Sequence, residues 1–132
     1  METITSVNNE LVKNTLKFQQ KKHRDAENKF LLEGKKSIEE ALNNGIEIDY
    51  IFVNSDKIQD YSFYKGRLIQ TNEAVLKKIS TTDSAPDAVG IGSQKRCNIS
   101  DFKDLKKVVL LENIKDLGNL GTIIRSAVAF NI

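Results

Sequence analysis

The chain has few of the residues from which disulfides, metal sites and aromatic clusters are built. Its 132 residues include one cysteine, one histidine, one proline and no tryptophan. A single cysteine, Cys97, excludes an internal disulfide and fits a reducing, cytoplasmic compartment. One histidine and one cysteine also argue against a zinc centre, so the sequence predicts a protein with no metal site.

Long hydrophobic runs are missing as well. Hydrophobic residues make up 39% and charged residues 29% of the chain, and no apolar stretch approaches the ~20 residues that cross a bilayer. The amino-terminal residues METITSVNNELVK lack the basic-then-apolar layout of a secretory signal. We therefore expect a globular, cytoplasmic protein that does not bind membranes.

The net charge is small, but the charged residues are unevenly placed. The net charge is only +2, whereas the window from Lys13 to Lys36 holds eight basic and three acidic residues and carries +5. The rest of the chain therefore carries −3. A local basic patch on a near-neutral protein indicates one defined polyanion contact.

Most of this basic charge falls on the first predicted helix, which begins at Asn8 or Asn9 and runs to about Asn28. Its apolar residues share one side, and its basic residues form a stripe on the other. A solvated helix face explains such a stripe equally well; within the stripe, only Lys21 has an acidic residue, Asp25, at i+4 to neutralise it. The candidate RNA-binding residues are Lys13, Lys17, Lys21, Lys22 and Arg24.

After this helix, short apolar segments alternate with helical patterns up to about residue 95. This alternation predicts an α/β/α layered sheet as a first domain, 1–95. A polar stretch, 96–106, is predicted to be a linker, and a second unit is expected over 107–132. The predicted strands are Phe30–Gly34, Tyr50–Val53, Arg67–Ile69 and Ala88–Ile91, and the predicted helices are Lys35–Asn44 and one capped by Thr71 or Asn72.

The last segment predicts a strand, Val108–Leu111, followed by a turn and an amphipathic helix. Gly118 and Gly121 bracket Asn119 in that turn, and Arg125 follows inside the helix. Backbone N–H groups at such a helix start bind anions, and the planar guanidinium of an arginine can grip a phosphate. From spacing alone, a plain strand–turn–helix with an exposed arginine remains the simpler alternative.

Two sets of residues resemble one enzyme family. The run DLGNLGTIIRSAVAF (116–130) resembles the first motif of the SpoU/TrmH-like ribose 2'-O-methyltransferases of the SPOUT class. Asparagine stands at position 131, where the family usually has a helix-ending glycine, and asparagine also adopts left-handed backbone. The family's ribosomal-protein-like RNA substrate-binding domain is similar to VKNTLKFQQKKHR (12–24), FLLEGKKSIEEAL (30–42) and VLKKIST (75–81).

The resemblance implies methyl transfer from S-adenosylmethionine to a ribose 2'-hydroxyl of ribosomal or transfer RNA. It implies that Asn119 and Arg125 are active-site residues, with Arg125 orienting an RNA phosphate. The complete enzyme would be a homodimer that binds the cofactor in a knotted carboxy-terminal region. The expected architecture is thus an α/β/α substrate-binding domain followed by the first strand and helix of an incomplete SPOUT domain, a knotted α/β fold.

We accordingly expect this chain to be catalytically inactive alone and to hold no cofactor. Two rival functions remain open at this point. One is a non-catalytic, ribosomal-protein-like RNA-binding module, which the first 95 residues would suit equally well. The other is a protein-interaction domain whose basic stripe meets an acidic partner. Competition by RNA at moderate salt would separate this alternative, since phosphate contacts give a steep salt dependence.

Other side chains are predicted to be structural. Glu33 precedes Gly34 at a strand end and is expected to hold a loop by accepting backbone hydrogen bonds. His23 is expected to be structural or simply exposed. The aromatic residues could stack on unpaired bases, but core packing is the expected role of most of them; they are Tyr50, Phe52, Tyr61, Phe63 and Tyr64.

Overall fold

A computed structural model describes residues 2–132 of the chain. It divides into two compact units, the first ending at Lys95 and the second being Arg96–Ile132. The first unit contains a single five-stranded sheet in the order β1-β4-β3-β5-β2. Its strands are β1 (Glu2–Thr3), β2 (Lys29–Glu33), β3 (Ile48–Asn54), β4 (Arg67–Thr71) and β5 (Ala88–Ser93).

Helices cover both faces of this sheet. Strands β1, β4 and β3 run parallel, whereas β5 is antiparallel to both β3 and β2. The helices of the first unit are α1 (Glu10–Lys17), α2 (Lys21–Glu27), α3 (Lys35–Asn43), α4 (Glu73–Ile79) and a 3₁₀ helix (Ser55–Tyr61). The predicted α/β class with a layered sheet is confirmed, and the structure shows that the sheet is mixed.

Alternation along the central strand divides the core in two. Phe52 points to one face and packs with Val12 of α1 and Leu76 of α4. Its neighbours Ile51 and Val53 point to the other face, where they pack against α3 and the 3₁₀ helix. All three strand residues are fully buried, as expected when successive side chains point to opposite faces.

The predicted single helix up to Asn28 is wrong, although its start is confirmed. The Asn9 side chain accepts a 2.8 Å hydrogen bond from the Leu11 N–H, as a helix cap does. The helix stops at Lys17, and a second helix begins at Lys21. Phe18, at the corner, is buried with 5% of its surface exposed. The sequence pattern missed this break because residues 18–20 suit a helix, and only tertiary contacts bend the chain there.

Two elements of the first unit were not predicted. Strand β1 has only two residues, and it joins the sheet edge by pairing with Ile69 and Gln70 of β4. The 3₁₀ helix has no clear periodicity; Tyr61, at its end, anchors it in the core. The remaining predicted strands and helices are confirmed to within a few residues, and Asn72 caps α4 through a bond from the Val75 N–H.

The second unit contains a short 3₁₀ helix, Ile99–Phe102, and one α-helix, α5 (Leu117–Ala129). The predicted strand Val108–Leu111 is wrong, because this segment forms no strand. A strand needs a partner for its backbone groups, and no sheet of the described residues provides one there. Asn131 has φ +56°, which confirms the left-handed end expected after the helix.

The described part of the chain contains no helix with the length and apolar character required to cross a membrane.

Candidate functional site

The basic residues on the α1–α2 segment occupy two short helices. Lys13 and Lys17 lie one turn apart on α1, and both are exposed. Lys21 and Lys22 form the first turn of α2 and are exposed as well. Among the described residues, none of these four lysines forms an ion pair with a carboxylate. Four unpaired ammonium groups therefore face solvent on one segment, which we call the α1–α2 lysine surface.

Arg24, the fifth predicted member, is held differently. Its Nη1 donates to the carbonyl oxygens of Phe18 at 3.0 Å and Gln19 at 2.7 Å. These carbonyls lie at the helix break, where the regular i→i+4 bonds of a helix are interrupted. Arg24 therefore supplies hydrogen-bond donors that the backbone of a continuous helix would have provided. The main role of its guanidinium group is to stabilise the helix break.

The same corner is fastened to α4. The side-chain amide of Gln19 donates to the carbonyl oxygens of Lys78 at 3.1 Å and Ser80 at 2.8 Å. The corner between α1 and α2, which positions the α1–α2 lysine surface, is thus held by Arg24 from α2 and by the contact of Gln19 with the end of α4. Neither Gln19 nor this contact was predicted from the sequence, because the partners are about 60 residues apart along the chain.

Glu33 holds the loop that follows α4, as expected from the sequence. Its Oε1 accepts from the Thr81 N–H at 2.9 Å and from the Thr81 hydroxyl at 2.6 Å. Its Oε2 accepts from the Thr82 hydroxyl at 3.2 Å. With both carboxylate oxygens engaged, Glu33 acts as a loop anchor.

Some of the aromatic residues pack in the core, as expected, and others do not. Phe52 and Tyr61 are fully buried, whereas Phe63 is 37% exposed. The Tyr61 hydroxyl donates to Asp87 Oδ2 at 2.8 Å. Burial, reinforced by this hydrogen bond to Asp87, raises the pKa of the Tyr61 phenol well above its usual value. Tyr61 therefore stays neutral and is unsuited to proton transfer near neutral pH.

Tyr50 is half-buried on the face of the sheet that α1 covers. Its hydroxyl lies 3.0 Å from the Thr15 hydroxyl, and its ring meets that of Phe52 edge-on, with centroids 5.7 Å apart. Burial raises the pKa of Tyr50, and the nearby Asp49 carboxylate adds to this, whereas the Thr15 hydrogen bond and the positive charge of Arg67 lower it by less. The sequence analysis named Tyr50 only as one of five aromatic residues that could stack on bases, most of which were expected to pack in the core.

The structure places Asn119 and Arg125 on one helix. Asp116 caps α5 by accepting from the N–H groups of Gly118 at 2.7 Å and Asn119 at 3.2 Å. Asn119 is therefore in the first helical turn, and its predicted place on a glycine-bracketed turn is wrong. The glycines suggested a turn, but the Asp116 cap starts the helix before them.

Six residues along a helix separate Asn119 from Arg125 by about 9 Å of rise and about 120° of rotation. Both side chains are exposed, and neither forms a hydrogen bond or an ion pair within residues 2–132. The structure therefore shows no direct contact between the side chains of Asn119 and Arg125. Each is available to a ligand, and an arginine side chain leaning towards the helix start could approach the same ligand as Asn119.

Comparison with known proteins gives a family match. Residues 9–90 match the model of the MRM3-like substrate-binding domain. The matched range includes α1, α2 and the whole α1–α2 lysine surface. The resemblance that the sequence motifs indicated is confirmed by this match and by the relatives described next.

Among curated proteins, the chain is similar to the 23S rRNA (guanosine(2553)-2'-O)-methyltransferase RlmP of Bacillus subtilis, with 30% identity over 130 residues. That similarity covers 96% of this chain and 50% of the relative. The mitochondrial rRNA methyltransferase 3A of Danio rerio is 34% identical over 116 residues, which are 80% of this chain and 27% of that protein.

Among solved structures, the chain is similar to an AdoMet-bound rRNA methyltransferase from Sinorhizobium meliloti. The identity is 32% and the TM-score 0.80, with 97% of this chain and 51% of that chain covered. The chain thus spans about half the length of this structure and of the Bacillus relative, and about a quarter of the Danio relative.

Proposed function

Because the chain belongs to the family of MRM3-like substrate-binding domains, we propose that it is the RNA-binding portion of an RNA ribose 2'-O-methyltransferase that uses S-adenosylmethionine. The observation that carries the proposal is the α1–α2 lysine surface, which lies within the matched domain and lacks carboxylate partners. Structured ribosomal or transfer RNA is the proposed partner, and the cytoplasm the proposed compartment.

The lysine surface suits a phosphate backbone better than an acidic protein patch. Lys13 and Lys17 follow one edge of α1, and Lys21 and Lys22 continue beyond the corner. Because Arg24 and Gln19 fasten that corner, the ammonium groups are carried on a fixed support. Phosphates spaced along an RNA strand can each meet one of these cations, and every such contact releases condensed counterions.

The salt dependence of binding tests this proposal. The probe is a labelled hairpin of 23S rRNA containing the guanosine named for the Bacillus relative, with a transfer RNA as the second probe. Four lysine–phosphate contacts predict that log K falls with log salt concentration at a slope of about −3. No RNA binding at low salt, or a slope near zero, would contradict the proposal.

Two cavities of the second unit offer S-adenosylmethionine few polar partners, and the one of about 320 Å³ has a single charged side chain on its border, that of Lys107. The other cavity, of about 250 Å³ next to α5, is bordered by Ile123, Ala127 and Phe130, among others, and no charged side chain borders it. The cofactor's amino and carboxylate groups would find no ionic partner there. We therefore propose that the isolated 132-residue chain is inactive and derive no catalytic step from it. Titration calorimetry with S-adenosylmethionine should show no binding at micromolar concentrations, and clear micromolar binding would contradict this.

In a complete enzyme, Asn119 and Arg125 are the proposed active-site residues, and the complete enzyme is proposed to be a homodimer. Arg125 is exposed and unpaired within residues 2–132, so its guanidinium is available to an RNA phosphate. Asn119, in the first turn of α5, offers its side-chain amide to the same ligand.

A non-catalytic RNA-binding module is the second candidate function. The observation in its favour is that the family match, 9–90, falls entirely within the first unit. The two candidate functions differ in the role of residues 96–132, which belong to a catalytic domain only if the protein is an enzyme. Methyl transfer by a longer form of the protein that depends on Arg125 would support the enzyme, and unchanged RNA binding after removal of 96–132 is expected of both.

A further inference from the structure

A groove of about 330 Å³ lies in the first unit beside the α1–α2 lysine surface. Leu11 and Phe18 border it from the α1 side, and Ile91 borders it from the sheet. Tyr50 adds an aromatic ring and Lys17 stands on its rim. Its volume is at the lower end of the range for small-ligand sites, which suits a ligand of nucleotide size.

Most polar groups of this groove already have partners. Lys29 Nζ lies 2.8 Å from Asp49 and donates to the Ser93 hydroxyl at 2.8 Å. The Tyr50 hydroxyl is bonded to Thr15. These bonds fix the wall in place, so that the groove exists before any ligand arrives.

Two charged groups of the groove remain open to a ligand. The Glu27 carboxylate, at the end of α2, forms no hydrogen bond or ion pair within residues 2–132. Lys17 donates only to the neutral Asn14 amide, at 2.8 Å. The groove therefore combines an apolar and aromatic lining with one unpaired carboxylate and one ammonium group that has no carboxylate partner. A nucleotide has the matching parts: a flat base, N–H donors and a phosphate.

We propose that this groove holds an unpaired guanosine of the bound RNA. Guanine presents its N1–H and N2–H₂ donors side by side, so a carboxylate such as Glu27 can accept from both. Adenine and cytosine present an amino group beside an acceptor nitrogen, and uracil presents one N–H between two carbonyls. These acceptors would face the carboxylate and weaken the contact.

The neighbouring lysines extend this arrangement along the RNA strand. Lys17 stands at the rim of the groove, and Lys13 lies one turn away on the same helix. The phosphate of the guanosine would meet Lys17, and the next phosphate would meet Lys13. The inference rests on the proposed RNA-binding function and names the nucleotide that the same surface would select.

Short RNAs test the base preference. ¹⁵N-labelled protein is titrated with the pentanucleotides UUGUU, UUAUU and UUIUU, where inosine (I) lacks only the N2 amino group of guanosine. UUGUU should bind about tenfold more tightly than UUIUU, as expected for one N–H bond to a carboxylate. Its amide shifts should centre on Asn14, Glu27, Asp49 and Tyr50.

Glu27→Gln should reduce the preference for guanosine over inosine to about twofold, because a neutral amide cannot accept from both donors. Glu40→Gln is the matched control, since Glu40 is an exposed glutamate on α3, which packs against the other face of the sheet. This control should keep the full preference. Both substitutions replace exposed side chains, so the fold should be unaffected.

Equal affinity for UUGUU, UUAUU and UUIUU would overturn the guanosine proposal, and so would shifts confined to amides away from the groove. If the 23S rRNA hairpin still binds with a steep salt dependence, only this further inference fails. If neither the hairpin nor any pentanucleotide binds, the proposed RNA-binding function fails with it.

Discussion

Arg24 and Gln19 are joined across the corner between α1 and α2 by a 2.7 Å hydrogen bond from Arg24 Nη1 to the Gln19 carbonyl oxygen. The Gln19 side chain in turn donates to the end of α4. The sequence pattern would place both side chains on a helix surface. In the structure they hold the chain where it changes direction. The lysines on either side owe their relative placement to this corner.

We predict that Arg24→Ala destabilises the first unit. The substitution leaves the carbonyl oxygens of Phe18 and Gln19 without their charged donor, which should lower the free energy of unfolding by about 1–3 kcal/mol. Urea denaturation measures this. Arg67→Ala is the control, because Arg67 forms an exposed ion pair with Glu2 at 2.9 Å and its loss should destabilise the protein less than Arg24→Ala does. Equal stability of Arg24→Ala and the unaltered protein would contradict the structural role of Arg24.

Reversing charge on the α1–α2 lysine surface should abolish RNA binding without unfolding the protein. The variant changes Lys13, Lys17 and Lys21 together to glutamate; all three are exposed, whereas α1 buries Val12 and Thr15 on its other side. Affinity for the 23S rRNA hairpin should fall at least 100-fold at 0.1 M salt, on the order expected when three phosphate contacts are lost.

The matched control for this variant changes an equal charge elsewhere in the same unit. Lys57, Lys65 and Lys95 are exposed and lie outside α1 and α2, and their replacement by glutamate alters the net charge by the same amount. This control should lose only the small affinity that follows from net charge. If both triple variants bind RNA equally, the RNA contact is not on the α1–α2 lysine surface.

Hydrogen exchange should separate the two units. Strand β3 is paired on both sides and the edge strand β2 is paired with β5, whereas no residue of 96–132 is buried. Amides of 108–132 should therefore exchange faster than those of 30–53 in the 132-residue chain, because opening α5 exposes little new apolar surface. Equal protection of both ranges in a protein shown to be monomeric would contradict two independent units.

The catalytic assignment of Arg125 can be tested in a chimera. This chain would replace the matching half of the Bacillus subtilis methyltransferase, and methyl transfer to 23S rRNA would be measured. Arg125→Ala should lower the rate by roughly 100-fold, as loss of a charge-stabilising donor does. RNA affinity should fall much less, because most phosphate contacts are proposed to lie on α1 and α2.

Arg125→Lys is the informative companion to that substitution. A lysine keeps the charge but cannot present two parallel N–H donors to a phosphate, so little activity should return. A rate for Arg125→Ala within a factor of a few of the parent chimera would mean that Arg125 is only a surface residue of α5.

The sequence alone was sufficient for the elements whose signals are local. The sequence narrowed each helix cap to two neighbouring residues, of which the structure selects Asn9 and Asn72. The apolar residues of α4 and the left-handed Asn131 likewise depend on neighbours a few positions away. The family resemblance could also be identified from the sequence, since its motifs are runs of adjacent residues. The concentration of lysines on α1 and α2 was visible in the same way, whereas their lack of ion pairs was established only by the structure.

Tertiary structure decided what depends on residues far apart in the chain. The break at Phe18 required a buried site for its ring and the carbonyls of α4 for Gln19, neither of which is visible in local periodicity. The Val108–Leu111 segment has strand-like sequence, but a strand forms only where a second backbone supplies hydrogen bonds. The groove beside Tyr50 likewise exists only because two helices and three strands converge there. Local sequence thus specified which residues were available, and long-range packing determined which of them lie free on the surface to meet a ligand.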